Sequence, residues 1–206
     1  MESPCDAIRG SRRQPRFSVE FVAPGGTNST ENPLAVRERG CAGGGRTLWG
    51  MAGHHFRAGI VAIVRRADGQ VLAFERADVP GQWQLPQGGL ERGEDAQAAA
   101  WRELEEETGL GPAHVELVHG HDEWVVTAWP DGVVGNGGRL GQAQRWFEFR
   151  PHDDGVTPRP DGREFRAWKW VEPAWLVDHV VAFKRPAYAR MLAEAAERAT
   201  GAAGGG

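Results

Sequence analysis

Between Trp83 and Leu110 the chain reads WQLPQGGLERGEDAQAAAWRELEEETGL, crowding Glu103, Glu105, Glu106 and Glu107 into little more than one helical turn. Like charges ~4 Å apart repel by roughly 4 kcal/mol at an intermediate dielectric, and each raises the pKa of the other. A solvated acidic face is the ordinary explanation of such a run. The spacing points elsewhere. At roughly 100° per residue, Glu103, Glu106 and Glu107 share one arc, while Ala100, Trp101, Leu104 and Thr108 form the face expected to pack on a sheet. Ala96 and Ala99 fall on the glutamate arc, where small side chains are expected to leave room for an approaching group. Carboxylate oxygens are hard ligands suited to Mg²⁺, Mn²⁺ or Ca²⁺, and a divalent ion turns their repulsion into shared coordination. Upstream, Gly88-Gly89 lets backbone come close to an ion or phosphate unobstructed. Arg102 has Glu105 and Glu106 one turn later, or Glu94 further back, as partners.

These side chains need a helix held on a scaffold. Glu94 and Asp95 suit a first turn and Gly109 a stop, which predicts a helix from about Glu94 to Thr108. AGIVAIV, Ala58 to Val64, is an apolar run of strand length. RRADGQ then turns at Asp68-Gly69 into VLAFER, Val71 to Arg76, predicting an antiparallel hairpin. A Pro/Gly-punctuated loop with a short strand near Trp83 leads to the helix. VELVHGHDEWVVTAW reads as one or two strands, DGVVGNGGRLG as a mobile loop, and RWFEFR and EFRAWKWVE as strands. AYARMLAEAAERA closes as an amphipathic helix through Tyr188, Met191, Leu192 and Ala195. The pattern predicts an α/β (α+β) sandwich, a mixed sheet with a helix on each side.

Composition narrows the functional classes. The 206 residues suit one domain with appendages. Residues 1–50, rich in Gly, Arg, Pro and Ser, are expected to be mostly disordered, 51–200 to form the domain, and 201–206 to be a flexible tail. Met51 is a candidate alternative start. The net charge is −4, with residues 1–50 carrying +2 and the remainder −6, which is not the footprint of a protein that coats DNA or RNA through its phosphates. A terminal phosphate gripped locally is compatible with it. No apolar run approaches the ~20 residues of a spanning helix and no signal-peptide pattern opens the chain, so a cytoplasmic protein without a membrane partner is expected. Cys5 and Cys41 are the only cysteines and support neither a disulfide framework nor a zinc cluster.

Gly88, Glu94, Arg102, Glu103, Leu104, Glu106, Glu107, Gly109 and Leu110 fit G-x5-E-x7-R-E-U-x-E-E-x-G-U, U being aliphatic, without deviation. The segment resembles the box of the Nudix hydrolases. WQLPQGG, GQAQRWF, EFRAWKWV and VAFKRPAY are similar to the bacterial RNA pyrophosphohydrolase and dinucleoside polyphosphate hydrolase branch of that family. The resemblance implies a Nudix-type α/β/α sandwich and a Mg²⁺- or Mn²⁺-dependent pyrophosphohydrolase. Its substrates would be dinucleoside polyphosphates or the 5′-triphosphate end of RNA. Nucleotide sugars or oxidised nucleotides are the alternative substrates, and a non-catalytic nucleotide-binding regulator is the alternative role.

By the same resemblance, Glu103, Glu106, Glu107 and the Gly88 carbonyl are implied metal ligands, Glu164 a further ligand or base, and Glu94 and Arg102 structural braces. Arg57, Arg76, Arg145 and Lys184 fall where relatives place basic groups against phosphate. The chain departs from the branch at Ala58, Ala143 and Thr127, where relatives commonly have Pro, Lys and Tyr. Trp124 and Trp129 are candidates for base stacking in place of that tyrosine. His54-His55 and His119-x-His121 are expected to face solvent, with no third metal ligand at useful spacing, and GNGGRLG is expected to be a loop.

Overall fold

A computed structural model describes residues 19–21, 55–134 and 138–203. Its strands are β1 (Val19–Phe21), β2 (His55–Val64), β3 (Val71–Arg76), β4 (Trp83–Gln84), β5 (Gln87–Gly89), β6 (Val115–Gly120), β7 (Trp124–Ala128), β8 (Arg139–Pro151) and β9 (Phe165–Val171). Helices α1 (Ala96–Thr108), α2 (Pro173–His179) and α3 (Arg185–Ala203) complete it, with a single turn at Ala182–Lys184 before α3. Apart from β1, which pairs in parallel with β7, the segment expected to be disordered lies outside the described residues, as do residues 204–206.

The strands divide between two sheets. A six-stranded mixed sheet runs β1-β7-β8-β2-β5 with β6 also on β8, and a three-stranded antiparallel sheet runs β4-β3-β9. The turn expected at Asp68-Gly69 forms, closed by the Arg66–Gln70 backbone hydrogen bond and the antiparallel bridge Arg65–Val71, but β2 and β3 do not pair along their lengths. Both edges of β2 are taken, by β8 in parallel and β5 antiparallel, while β3 pairs with β9 and β4. The continuous apolar run dictates this. A strand buried on both faces needs a central place in a covered sheet, which an exposed hairpin cannot offer.

Ile60, Ala62 and Val64 pack in one core with Ala96, Ala99, Ala100 and Leu104 of α1. Val61 and Ile63 pack in the other with Tyr188, Met191, Leu192 and Ala195 of α3. Each large aliphatic side chain so buried contributes about 1.5–3 kcal/mol. The predicted sandwich is therefore present, with helices on both sides of a mixed sheet. Ala96 and Ala99 differ from expectation, being fully or nearly fully buried in the core instead of opening space beside the glutamates. Their small side chains draw the α1 backbone close to β2. Trp101 is half-buried, edge-on to Phe149 with ring centroids 4.7 Å apart.

Local chemistry sets the limits of α1. Asp95 is its N-cap, accepting from the backbone N–H groups of Gln97 and Ala98, so Glu94 precedes the helix. Gly109 ends it at φ 71°, a left-handed conformation that glycine adopts without cost, and donates to the Glu105 carbonyl. On the opposite core, the Leu85 N–H donates to the buried Tyr188 hydroxyl at 3.1 Å, and Trp146 meets the Tyr188 ring edge-on at 5.2 Å. No helix among the described residues is long and apolar enough to cross a membrane.

Candidate active site

The site is built on β5, an end strand of the larger sheet. Gly88 and Gly89 pair with Ile60 and Gly59, so they face opposite sides, Gly88 toward α1 and Gly89 toward α3. The Glu103 carboxyl lies over Gly88, in space a Cβ there would fill. The Arg57 guanidinium lies over Gly89 in the same way, with Nη2 2.2 Å from where a Cβ would be. β5 therefore separates Arg57 from Glu103. Glu107 occupies the strand's open edge, where the Gln87 backbone N–H donates to its Oε2 at 3.0 Å.

Arg102 links the chain before the helix to the helix. Its guanidinium donates to Glu94 through Nε at 2.8 Å and Nη2 at 2.9 Å, and to the Gly89 carbonyl at 3.1 Å. Nη1 reaches Glu103 at 2.8 Å and, more weakly, Glu106 at 3.4 Å. Of the partners open from sequence, Glu94 and Glu106 are used and Glu103 is added. The Arg102 hydrogen bonds, with the Glu91 N–H, hold the Glu94 carboxyl down to about 2.

Glu103 and Glu107 point inward, whereas the Glu106 side chain is 62% exposed and lies at the outer edge. Glu164 joins from the smaller sheet. The Asp161 carboxylate accepts from the backbone N–H groups of Arg163, Glu164 and Phe165, which turns the chain into β9. Gln84 of β4 then donates to Glu164 Oε1 at 3.1 Å. Burial, followed by the charges of Glu164, Glu103 and Asp161, pushes the Glu107 carboxyl up to about 9, against the Gln87 hydrogen bond.

Lys184 reaches the same edge from the turn before α3. It is 6% exposed and donates to Gln87 Oε1 at 2.9 Å, while Gln144 of β8 donates to that oxygen at 3.4 Å. Burial and then the Arg76 charge lower its pKa to about 8, opposed by Glu164 and Glu107. Arg76 is anchored by Asp78 at 2.5 and 2.8 Å. Arg145 is set apart. It pairs with Ile60, which also pairs with Gly88, so the two lie in one row two strand spacings, roughly 10 Å, from each other. Its guanidinium is committed to the His121 carbonyl at 2.9 Å and Asp122 at 3.2 Å.

The structure thus gathers Gly88, Glu103, Glu107 and Glu164, with Arg76 and Lys184 close by, Glu106 at the rim, and Arg57 and Arg145 beyond. A buried carboxyl kept protonated mainly by burial, with half-buried Glu103 and Glu164 adding their charges, is a donor set suited to a hard divalent cation. Sequence reasoning assigned no role to Gln84, Gln87, Gln144 or Asp161. The glutamines stood in WQLPQGG and GQAQRWF, and Asp161 in the turn-forming PDG. The expectation for His119 and His121 also changes, because His121 is buried and Glu148 supplies a third donor beside them.

A NUDIX domain model matches residues 55–194, and the chain belongs to the Nudix family. Nudix enzymes use divalent metals, and this chain is a hydrolase acting on pyrophosphate bonds. The RNA pyrophosphohydrolase of Rhodospirillum rubrum is 41% identical over 150 residues, covering 70% of this chain and 90% of that protein. That of Zymomonas mobilis is 39% identical over 145 residues, covering 68% and 94%. Among solved structures, a C. elegans Ap4A hydrolase binary complex superposes with a TM-score of 0.51 at 17% identity, covering 68% of this chain and 98% of that one, a likeness of fold.

Proposed function

We propose that the chain hydrolyses the 5′-triphosphate end of RNA, with dinucleoside polyphosphates as a second substrate class, supported by Mg²⁺ or Mn²⁺. The observation that carries this reading is the convergence of Glu103, Glu107 and Glu164 beside Lys184 at the open edge of β5. The RNA pyrophosphohydrolases at about 40% identity favour the RNA end.

Glu103, Glu107, Glu164 and the Gly88 carbonyl would hold the ions, with Glu106 closing the set from the rim. Bound there, a divalent ion supplies Lewis acidity to phosphoryl oxygens and lowers the pKa of water. Lys184 and Arg76 grip the polyphosphate from the α3 side of the edge, and Arg57 and Arg145 meet its more distant charges. Glu94 and Arg102 fix the Gly88–Gly89 backbone relative to α1. Glu164, held by Gln84 and the Asp161 turn, is placed to orient an attacking water or take its proton.

A cleft of about 390 Å³ lies beside Lys184, lined by Thr127, Trp129 and Phe183 among others. We assign it to the nucleoside. Stacking on Trp129 or Phe183 is worth about 1–3 kcal/mol and is tolerant of base identity. The activity resides in residues 51–200, and its place is the cytoplasm, without a DNA or membrane partner.

A substrate panel tests the reading, comparing 5′-triphosphorylated RNA, diadenosine polyphosphates, nucleotide sugars and oxidised nucleotides with Mg²⁺ or Mn²⁺. The expected order of kcat/KM has triphosphorylated RNA first. A preference for nucleotide sugars or oxidised nucleotides overturns it. Glu106→Gln is expected to fold normally and lose turnover by orders of magnitude.

A further inference from the structure

A second cluster of chemistry-bearing side chains lies on the far part of β8, four residues or roughly 13 Å along the strand from Gln144. A register shift between Leu117 and His119 sets His119 directly opposite Glu148. His121, two residues on, meets Glu148 Oε1 through Nε2 at 2.9 Å. Donor atoms of His119, His121 and Glu148 all lie within 4.8 Å of one another, with His121 and Glu148 buried and His119 exposed. Arg198 of α3 intrudes between the two buried groups, its Nη2 lying 2.8 Å from His121 Nε2 while its Nε meets Glu148 Oε1 at 2.9 Å.

Arg198 Nη2 also donates to Glu148 Oε1, so one cationic group faces both acceptors. With its proton on Nε2, His121 serves Glu148 but opposes the N–H of Arg198. With Nε2 bare it accepts from Arg198 beside the carboxylate oxygen. The Glu194 carboxylate, 3.7 Å from Nδ1, favours the proton on Nδ1 and so the bare Nε2. The lone pairs of Nε2 and Oε1 thus converge on one cationic occupant, a place that a metal ion can take.

We propose that His119, His121 and Glu148 form a second metal site, for a Zn²⁺-like divalent ion, in which Arg198 is the displaceable occupant. Two imidazoles and one carboxylate suit zinc, whose ligands sit about 2.0–2.1 Å from the ion and so up to roughly 4 Å apart. Rotation of the exposed His119 ring closes the remaining gap. Arg198 is 35% exposed, and it borders a cleft of about 310 Å³ into which it can swing. Arg65, Arg66 and Arg150 line the same cleft, so an ion held mainly by charge, such as Mg²⁺, is disfavoured. The site is thereby distinct in metal preference as well as position from the carboxylate edge of β5.

Equilibrium dialysis of the full chain against Zn²⁺ in saturating Mg²⁺ tests the proposal, with bound zinc read by mass spectrometry. Wild type is expected to retain one equivalent, as is Glu106→Gln. His119→Ala, a change at an exposed position, is expected to lose more than the roughly 10- to 100-fold in affinity that removal of an outer-sphere partner costs. Arg198→Gln, which removes the competitor, is expected to bind more tightly than wild type. Zinc-free wild type, undiminished binding by His119→Ala, or unimproved binding by Arg198→Gln each overturns it.

Discussion

The carboxyl group of Glu103 occupies the space that a side chain on Gly88 would need, since a Cβ there would fall 1.8 Å from the Glu103 carboxyl carbon. The glycine is required for steric room, because its backbone φ is not positive. Gly88→Ala is expected to expel Glu103 from the site and from Arg102. Overpacking of this kind costs roughly 1–3 kcal/mol, and a displacement near 1 Å in a catalytic group costs about 100-fold in rate. Chemical denaturation and kcat/KM measured on one preparation check both, and near-normal turnover would contradict the placement of Glu103.

Glu107 makes the metal-free protein sensitive to alkali. Its carboxyl, ordinarily near 4.5, titrates at about 9 in the fold, so between these values the folded chain holds a proton that the unfolded chain has released. Stability then falls as pH rises through that window. Glu107→Gln keeps an acceptor for the Gln87 N–H and removes the charge. In EDTA its stability advantage over wild type is expected to be small near pH 5 and to grow toward pH 9. Parallel urea titrations would show this, and a constant difference across the range would refute it.

Lys184 loses its charge near pH 8, because burial and Arg76 lower its pKa. If its ammonium grips the polyphosphate, KM should climb above pH 8 in wild type. In Lys184→Met, KM should be elevated throughout and lack that rise. Folding should not suffer, since a buried charge is replaced by an apolar chain of similar length. Steady-state kinetics from pH 6 to about 9 distinguish this from a purely structural lysine, which would leave KM flat.

Arg102 joins Glu94, Glu103, Glu106 and the Gly89 carbonyl through one planar fork. A lysine cannot span these directions. Arg102→Lys is expected to lower kcat by about 10- to 100-fold by loosening Glu103, with a stability cost of roughly 1–3 kcal/mol. Raising the Mg²⁺ concentration should recover part of the activity, whereas full activity at low Mg²⁺ would show that the fork does not position the site.

The helix carrying the box was legible from local signals. Its stop at Gly109, its period and the shared arc of Glu103, Glu106 and Glu107 follow from contacts within about four residues, whereas the Asp95 cap and the outward position of Glu106 were seen only in the structure. Ala96 and Ala99 were misread because helical period assigns an arc without saying how near the sheet lies. Arg145 resembles its counterparts in sequence, yet its contacts with His121 and Asp122 depend on the turn between β6 and β7.

By itself the sequence determined the family, the mixed α+β class and the carboxylates on one helix, since residue type and spacing along one chain segment suffice for these. Only the tertiary structure decided that β2 and β3 enter different sheets, that the charge of Glu164 acts on Glu107, and that a shifted register brings His119 to Glu148. Such meetings join residues dozens of positions apart. They are set by which strand edges pair and in what register, and no local periodicity carries that information.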